Sequence, residues 1–331
     1  MNRATITIRD VAKAACVSTA TVSRVINEDG RVTEETRKRV RAAIDRLGYN
    51  LNQVARSLKT RATKTVGVVA PELASDFFML LAESMDRELS SHGYGLIVCS
   101  SWESVEEEKK RLRLLAERLV DGIVMIPASD QWRHIKSVQA KGIPLVLVDR
   151  KVEGNNADAV LVDNEGGAHE AVSALVADGH RRIGFIGGSL DVSTARERYF
   201  GFRRAMIDAG LTVEPDFVHF GPAHLDAGYR ALEAMLAKPA PPDAYFIVNA
   251  DTHVGATNYL MTEGRAWKDR IVFASFDEMP YSPLLSFCRY AVQQPIADMG
   301  LLAARLILDR ICGTRRSAPE TIRLKTHLIR H

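Results

Sequence analysis

The sequence predicts an α/β protein that carries a small all-α head, and three observations lead there. From Thr65 onward short apolar strands alternate with longer amphipathic runs, the pattern of parallel sheets covered by helices on both faces. Before that point apolar residues recur at helical spacing in three short segments. Charge divides at the same place: residues 1–64 hold 14 Lys and Arg against 6 Asp and Glu, whereas the remainder holds 30 against 35. A basic head on a mildly acidic body suits a polyanionic partner for the head.

The head reads as three helices. Thr7-Ile8-Arg9-Asp10 has the capping-box spacing, with Thr7 as N-cap and Asp10 three residues on. Ile8, Val11, Ala12 and Ala15 repeat at helical spacing, so the first helix runs to about Ala15. Cys16-Val17-Ser18 reads as a tight turn, and Ser18 can cap a second helix over Thr19 to Asn27 whose apolar face is Val22, Val25 and Ile26. A third helix starts at Thr33-Glu34-Glu35, buries Val40, Ala43, Ile44 and Leu47, and stops at Gly48. Two short helices joined by a three-residue turn make a helix-turn-helix. On the outward face of the second helix, Thr19 and Ala20 are small enough for close approach to base edges. Arg24 can donate two parallel hydrogen bonds to a guanine, worth about 1–3 kcal/mol of discrimination. Thr7, Ser18, Thr21, Ser23 and Asn27 suit phosphate oxygens, which set register without reading sequence. A solvated helical bundle with polar outer positions is the alternative that the pattern alone leaves open.

In the body, strands are expected at Val66–Ala70, Leu96–Ser100, Gly122–Ile126, Leu145–Asp149, Val160–Asp163, Ile183–Gly187, Tyr245–Asn249, Ile271–Phe276 and Tyr290–Val292. Helices are expected at Met79–His92, Val105–Leu119, Gly166–Asp178, Arg198–Ala209 and Ala227–Ala237. So many strands exceed one comfortable sheet, which predicts two α/β subdomains. Ligands in such sheets sit beyond the carboxyl ends of the strands. Asp76 and Phe77 after the first strand, Asp149 and Arg150 after a later one, and Arg198, Asn249 and Asp277 all fall on such loops. They offer carboxylates, a carboxamide, an aromatic face and the two-pronged donor of arginine to a small polar ligand. Core packing of a strand-to-helix turn is the competing account of Phe77 and its neighbour Phe78. Cys16, Cys99, Cys288 and Cys312 are scattered without metal-type spacing, and neither a signal-peptide pattern nor a run of about 18 apolar residues occurs. These features lead us to expect a soluble cytoplasmic protein with no membrane contact, no cofactor and no metal. No G-x-S-x-G elbow, phosphate-binding loop or H-E-x-x-H is present, and Ser173 stands where a second histidine after His169-Glu170 would be needed, so an enzyme is not expected.

The segment from Thr7 to Ala15 and the segment from Val17 to Asn27 resemble the headpiece of the lactose-repressor (LacI) family. Val32–Arg37, Leu47-Gly48-Tyr49 and Asn52–Leu58 continue the likeness over about fifty residues. The body resembles the periplasmic-binding-protein-like core of the same family at Val120–Ile123, Gly179–Ile186, Arg198–Phe202, Ser275–Asp277 and Gln294-Pro295. The resemblance implies a headpiece over 1–50, a hinge helix and linker over 51–64, and a core over 65–331. Within the core it implies an N-subdomain of about 65–162 plus 294–319 and a C-subdomain of about 163–292 plus 320–331, with crossings near Asp163, Val292–Gln294 and Glu320. Thr19, Ala20 and Arg24 align with base-reading positions. Ala55 and Leu58 lie in the stretch that enters the minor groove, Leu58 as an apolar wedge. Asn249 and Asp277 align with effector positions. The implied function is that of a transcription regulator, a repressor by preference, binding a near-palindromic operator as a homodimer. Its control would come from a sugar, sugar acid or sugar phosphate bound between the subdomains. A transport-type sugar-binding protein would share the body but not the basic headpiece.

Some positions depart from the family pattern. Cys16 stands where glycine is usual, in a turn that calls for a left-handed backbone and costs a non-glycine residue on the order of 1 kcal/mol. Leu51 stands where proline usually precedes the hinge. Asn249-Ala250 replaces a usual Asn-Asp, and Ala223-His224 stands where an aromatic is common; with Arg and His nearby, an acidic or phosphorylated sugar is expected over a purine.

Overall fold

The computed structural model describes residues 6–26, 30–49, 62–154, 156–267, 269–284 and 287–331, and the chain divides into two compact units at Thr63/Lys64. Asn27, Ala55 and Leu58 lie outside the described residues.

In the first unit, helix α1 spans Ile8–Ala14, α2 Thr19–Ile26 and α3 Glu34–Leu47. The Asp10 carboxylate accepts from the Thr7 N–H at 2.8 Å and the Thr7 hydroxyl at 2.7 Å, closing the start of α1. Cys16 takes φ 54° in the turn, the left-handed conformation expected there, and Ser18 Oγ accepts from the Thr21 N–H at 3.1 Å to cap α2. Thr33 caps α3 through the Thr36 N–H, and Gly48 at φ 59° ends it. The three helices close over Val11, Ala12, Ala15, Val22, Val25, Val40 and Ala43.

The second unit holds two six-stranded sheets. The first is built from β1 Thr65–Ala70, β2 Gly95–Ser100, β3 Gly122–Met125, β4 Leu145–Val148, β5 Asp158–Val162 and β11 Thr321–Leu324. Their order is β11-β5-β4-β3-β1-β2, parallel throughout. The second comprises β6 Ile183–Gly187, β7 Val218–Phe220, β8 Ala244–Ile247, β9 Val272–Phe276, β10 Cys288–Gln293 and β12 His327–Arg330. Their order is β12-β10-β9-β8-β6-β7, with only β12 antiparallel.

Alternate strand residues face opposite layers, as the two-residue pleat requires. In the first sheet Val68 and Val124 pack on Leu81 and Met85 of α4 (Asp76–Ser91) and on Ala303 and Ile307 of α11 (Ile296–Cys312). Val69 and Ile123 pack instead on Leu112 and Leu115 of α5 (Val105–Glu117) and on Ile135 of α6 (Ile135–Gln139). In the second sheet Phe185 and Phe246 meet α7 (Asn164–Ala177) and α8 (Ser193–Asp208), while Tyr245 and Ile247 meet α9 (Leu225–Leu236) and α10 (Ala250–Thr262). Such double covering is why these strands read as continuous apolar runs.

The chain passes between sheets after β5, after β10 and between β11 and β12. The third passage lies at Lys325-Thr326, not near Glu320, because Thr321–Leu324 pairs with Ala159–Val162 in the first sheet. Residues 320–324 thus sit with the N-subdomain, and only β12 returns to the other sheet. The α8 helix also begins at Ser193, five residues before the expected Arg198, which places Arg198 in its second turn. Helices α6, α10 and α11 and the edge strands β7, β11 and β12 are not among the elements expected from the sequence.

Two glycines let α9 and α10 touch backbone to backbone. A Cβ on Gly228 would collide with the Thr252 carbonyl oxygen, and one on Gly255 with that of Leu225. Gly228→Ala and Gly255→Ala should each lower core stability by roughly 1–3 kcal/mol, seen as a lower urea midpoint. Gly95→Ala, where a Cβ meets open space, should leave the midpoint in place.

Candidate functional site

The second helix of the head presents the first candidate site. Thr19, Ala20 and Arg24 are exposed and fall within an arc of about 140° at 100° per residue, opposite buried Val22 and Val25. Ser18 and Thr7 are exposed beside them, and Thr21 and Ser23 are half-buried. Some of the proposed phosphate donors already have partners. The Thr7 N–H and hydroxyl both go to Asp10, holding that carboxyl below its ordinary value, and Ser18 Oγ lies 2.9 Å from Thr21 Oγ1.

The second site is a cleft of about 890 Å³ at the carboxyl ends of both sheets. Asp76, Phe77, Asp149, Arg150, Arg198, Asn249 and Asp277 all line it, so the loops named from the sequence do converge. Their environments differ. Phe77 is 7% exposed and belongs to the hydrophobic core of the first sheet, with Phe78 edge-on at 5.3 Å nearer the opening. Asn249 is engaged at both ends of its amide: Oδ1 accepts from the Thr252 N–H at 3.0 Å, capping α10, and Nδ2 donates to the Ala223 carbonyl at 2.9 Å. Arg150 is buried and forked onto Glu103 by two bonds of 2.8 Å, with a third to the Pro127 carbonyl at 3.0 Å.

Arg198 sits deepest among the cations. Its Nε donates to Asn164 Oδ1 and one Nη to the Val248 carbonyl, both at 2.8 Å, and its plane lies 3.7 Å from the Phe276 ring centre. Asp149 (φ 66°) and Asp277 (φ 72°) are left-handed residues directly after β4 and β9 and are both nearly buried. Asp277 accepts from Gln294 Nε2. Asp149 has only Arg150 Nε at 3.7 Å, and its Oδ1 has no hydrogen-bond partner among the described residues. Gln294, Asp251, Trp102 and Tyr281 complete the wall. Gln294 belongs to the Gln294-Pro295 pair that resembles the family core, whereas Tyr281 carries no sequence signal. His224, which stands where an aromatic is common, caps α9 by accepting from the Ala227 N–H at its ring nitrogen.

Beside Arg198, the start of α8 ties the two halves of the core together. Arg196 pairs with Asp130 at 2.7 Å, and the Asp130 N–H donates to the Asp191 carbonyl. Glu197 receives Lys151 at 3.1 Å, Arg323 at 3.2 Å and Asn164 Nδ2 at 3.2 Å. Ser193 Oγ accepts from the Lys151 N–H at 3.1 Å.

The Asp149 carboxyl is pushed up to about 6, first by burial, while Arg150 and Arg198 pull it back and Asp277 raises it further. A folded value above the unfolded one of about 3.9 means that the folded state binds this proton more tightly. The group's stabilising contribution is therefore full below about pH 4 and lost as pH rises through about 6. Ionising it in the empty cleft costs roughly 3 kcal/mol. Asp149→Asn, which tolerates the left-handed backbone, should raise the melting temperature at pH 7.5 and give no gain at pH 4. Calorimetry at the two pH values checks this, and an equal gain at both would contradict it.

Residues 7–52 match the family described as bacterial regulatory proteins, lacI family, and residues 63–329 the periplasmic binding proteins and sugar binding domain of LacI family. The HTH-type transcriptional repressor PurR of Aliivibrio salmonicida (strain LFI1238) is 33% identical over 307 residues, covering 92% of each chain. Catabolite control protein A of Priestia megaterium is 31% identical, covering 91% of each. The lac repressor dimer bound to operator and the anti-inducer ONPF has the same fold, with TM-score 0.86 over 99% of this chain and 98% of that one at 23% identity. Among the described residues no helix is long and apolar enough to cross a membrane. Head and core thus match the two parts of one family in the order its members carry them, and the chain belongs to the LacI family of bacterial regulatory proteins.

Proposed function

We propose that this protein is a cytoplasmic transcription regulator, without catalytic activity, that binds a near-palindromic operator as a homodimer and answers to a small polar ligand held in the core cleft. One observation carries the reading: a single chain joins a helix with an exposed Thr19-Ala20-Arg24 face to a two-lobed core whose cleft residue Arg198 sits beside the ties between the lobes. Thr19, Ala20 and Arg24 read base edges in the major groove, and Ser18, Thr21 and Ser23 meet phosphates. The proposed wedge Leu58 and the hinge around Ala55 would set the central bend.

Control follows from the geometry of α8. A ligand that engages Arg198 bears on a helix whose preceding two residues grip Asp130, Lys151 and Arg323 of the other lobe. It shifts operator affinity only as far as it prefers one lobe arrangement over the other.

The operator can be selected from random duplexes and affinities measured by fluorescence anisotropy. Arg24→Ala should relax specificity at one base pair per half-site, losing about 1–3 kcal/mol of discrimination there. Deleting residues 1–60 should abolish operator binding yet keep the ligand-induced thermal shift; retained sequence-specific binding would sink the reading. Glu197→Gln should bring the ratio of operator affinities with and without ligand toward one, while sequence preference stays as in the parent. An unchanged ratio removes the proposed role of the α8 ties.

A further inference from the structure

We infer that the ligand of this cleft carries a protonated amine, as an amino sugar does, and that Asp149, Asp277 and Gln294 receive the ammonium group. The inference rests on the reading of the cleft as the effector site and adds the ligand's charge to it.

The balance of charge comes first. Seven carboxylates and two guanidinium groups line the cleft. Of the two guanidinium groups only Arg198 keeps Nη donors to spare. Arg150 is held by both oxygens of Glu103 and by the Pro127 carbonyl. Arg198 gives Nε to Asn164 and one Nη to Val248, and lies against Phe276. A sugar acid or sugar phosphate would enter an enclosure in which carboxylates outnumber guanidinium groups and one of the two cations is already paired with Glu103. The expectation of an acidic ligand, drawn from the presence of Arg and His in the sequence, overlooked what those side chains hold.

A second observation is independent of the count. Two acceptor atoms on residues at most 5% exposed, Asp149 Oδ1 and Gln294 Oε1, have no donor among the described residues, and both residues line the cleft. Buried acceptors without donors are uncommon and point to a missing partner. Gln294 has turned its Nε2 toward Asp277, which leaves its oxygen as the unpaired end. The absent partner is therefore a donor. An ammonium supplies three N–H donors and no acceptor, together with the positive charge that two neighbouring, desolvated carboxylates call for. A neutral hydroxyl supplies one donor and no charge. Farther along the wall, burial and the neighbouring carboxylates of Asp277, Glu72 and Asp76 hold Asp251 above its ordinary range, against the hydrogen bond from Ser75, so the negative potential extends across the cleft.

The test uses the full-length protein in titration calorimetry at pH 7.5. The probes are glucosamine, galactosamine and mannosamine, their neutral parents glucose, galactose and mannose, and the corresponding hexose 6-phosphates. At least one amine should bind tenfold or more tighter than its parent, and each phosphate should bind more weakly than either. Asp149→Asn should bring the amine-to-parent ratio to within about threefold of one, and its folding is verified by its melting temperature. A parent or phosphate that binds as tightly as the amine overturns the inference, as does a panel in which no amine binds at millimolar concentration or an Asp149→Asn ratio equal to that of the parent protein. A neutral or acidic sugar that binds and shifts operator affinity would leave the regulator reading standing while removing this one; a protein whose operator affinity no cleft ligand moves counts against the regulator reading itself.

Discussion

The first two turns of α8 are the constraint on which the arrangement of the core depends. Arg196, Glu197 and Arg198 are consecutive, so at 100° per residue they point in three directions. One reaches Asp130, one reaches Lys151 and Arg323, and one enters the cleft. A displacement of the helix at Arg198 is carried directly to its two neighbours and their partners. Glu197 keeps its charge although largely buried, because burial raises its carboxyl less than Arg323, Lys151 and Asn164 lower it. That balance suits a tie between lobes. A pair in full solvent would contribute about 0–1 kcal/mol and would break freely, whereas a fully buried one would resist any change of angle.

The cleft obeys a different logic from the ties. At the ties each charge has its partner, and at the cleft the carboxylates exceed the cations. Asp149 and Asp277 both sit at positive φ directly after a strand, a conformation uncommon outside glycine that Asp and Asn adopt more readily than other residues. The fold thus holds two strained, desolvated acids beside each other, with an unpaired oxygen on one of them. Strain and missing partners of this kind concentrate where a protein meets a ligand. The same residues that weaken the empty core give it something to gain on binding.

Much of this was legible in the sequence because it is local. The Thr7/Asp10 spacing, the Ser18 cap, the helix start at Thr33, the stop at Gly48 and the left-handed Cys16 each depend on three or four neighbouring residues, and all are present as read. The doubly covered strands were equally clear, since burial on both faces makes them apolar throughout. Residues facing one another across the fold were not. Helix α10 hides its buried face behind Thr252, His253 and Thr257, so its period is faint. Strand β11 is an edge strand with Arg323 in its middle, and its partner β5 lies some 160 positions earlier, which displaced the third crossing by several residues. The loop positions of the cleft residues followed from topology, but their partners did not. Asn249 and Arg150 both line the cleft, but the first also caps a helix and the second is held by Glu103.

The headpiece reaches rigidity by another route. Its core is made of valines and alanines alone among the fully buried positions, and so small a core leaves a domain near the margin of stability. Three helix N-termini are closed by Thr7 with Asp10, Ser18 with Thr21 and Thr33 with Thr36, and such caps contribute about 1 kcal/mol each. One of these caps, Ser18 with Thr21, lies in the turn that leads into α2 and fixes the start of that helix. Small buried side chains allow helices to pack closely, and α2 keeps Thr19, Ala20 and Arg24 on its exposed side, opposite buried Val22 and Val25.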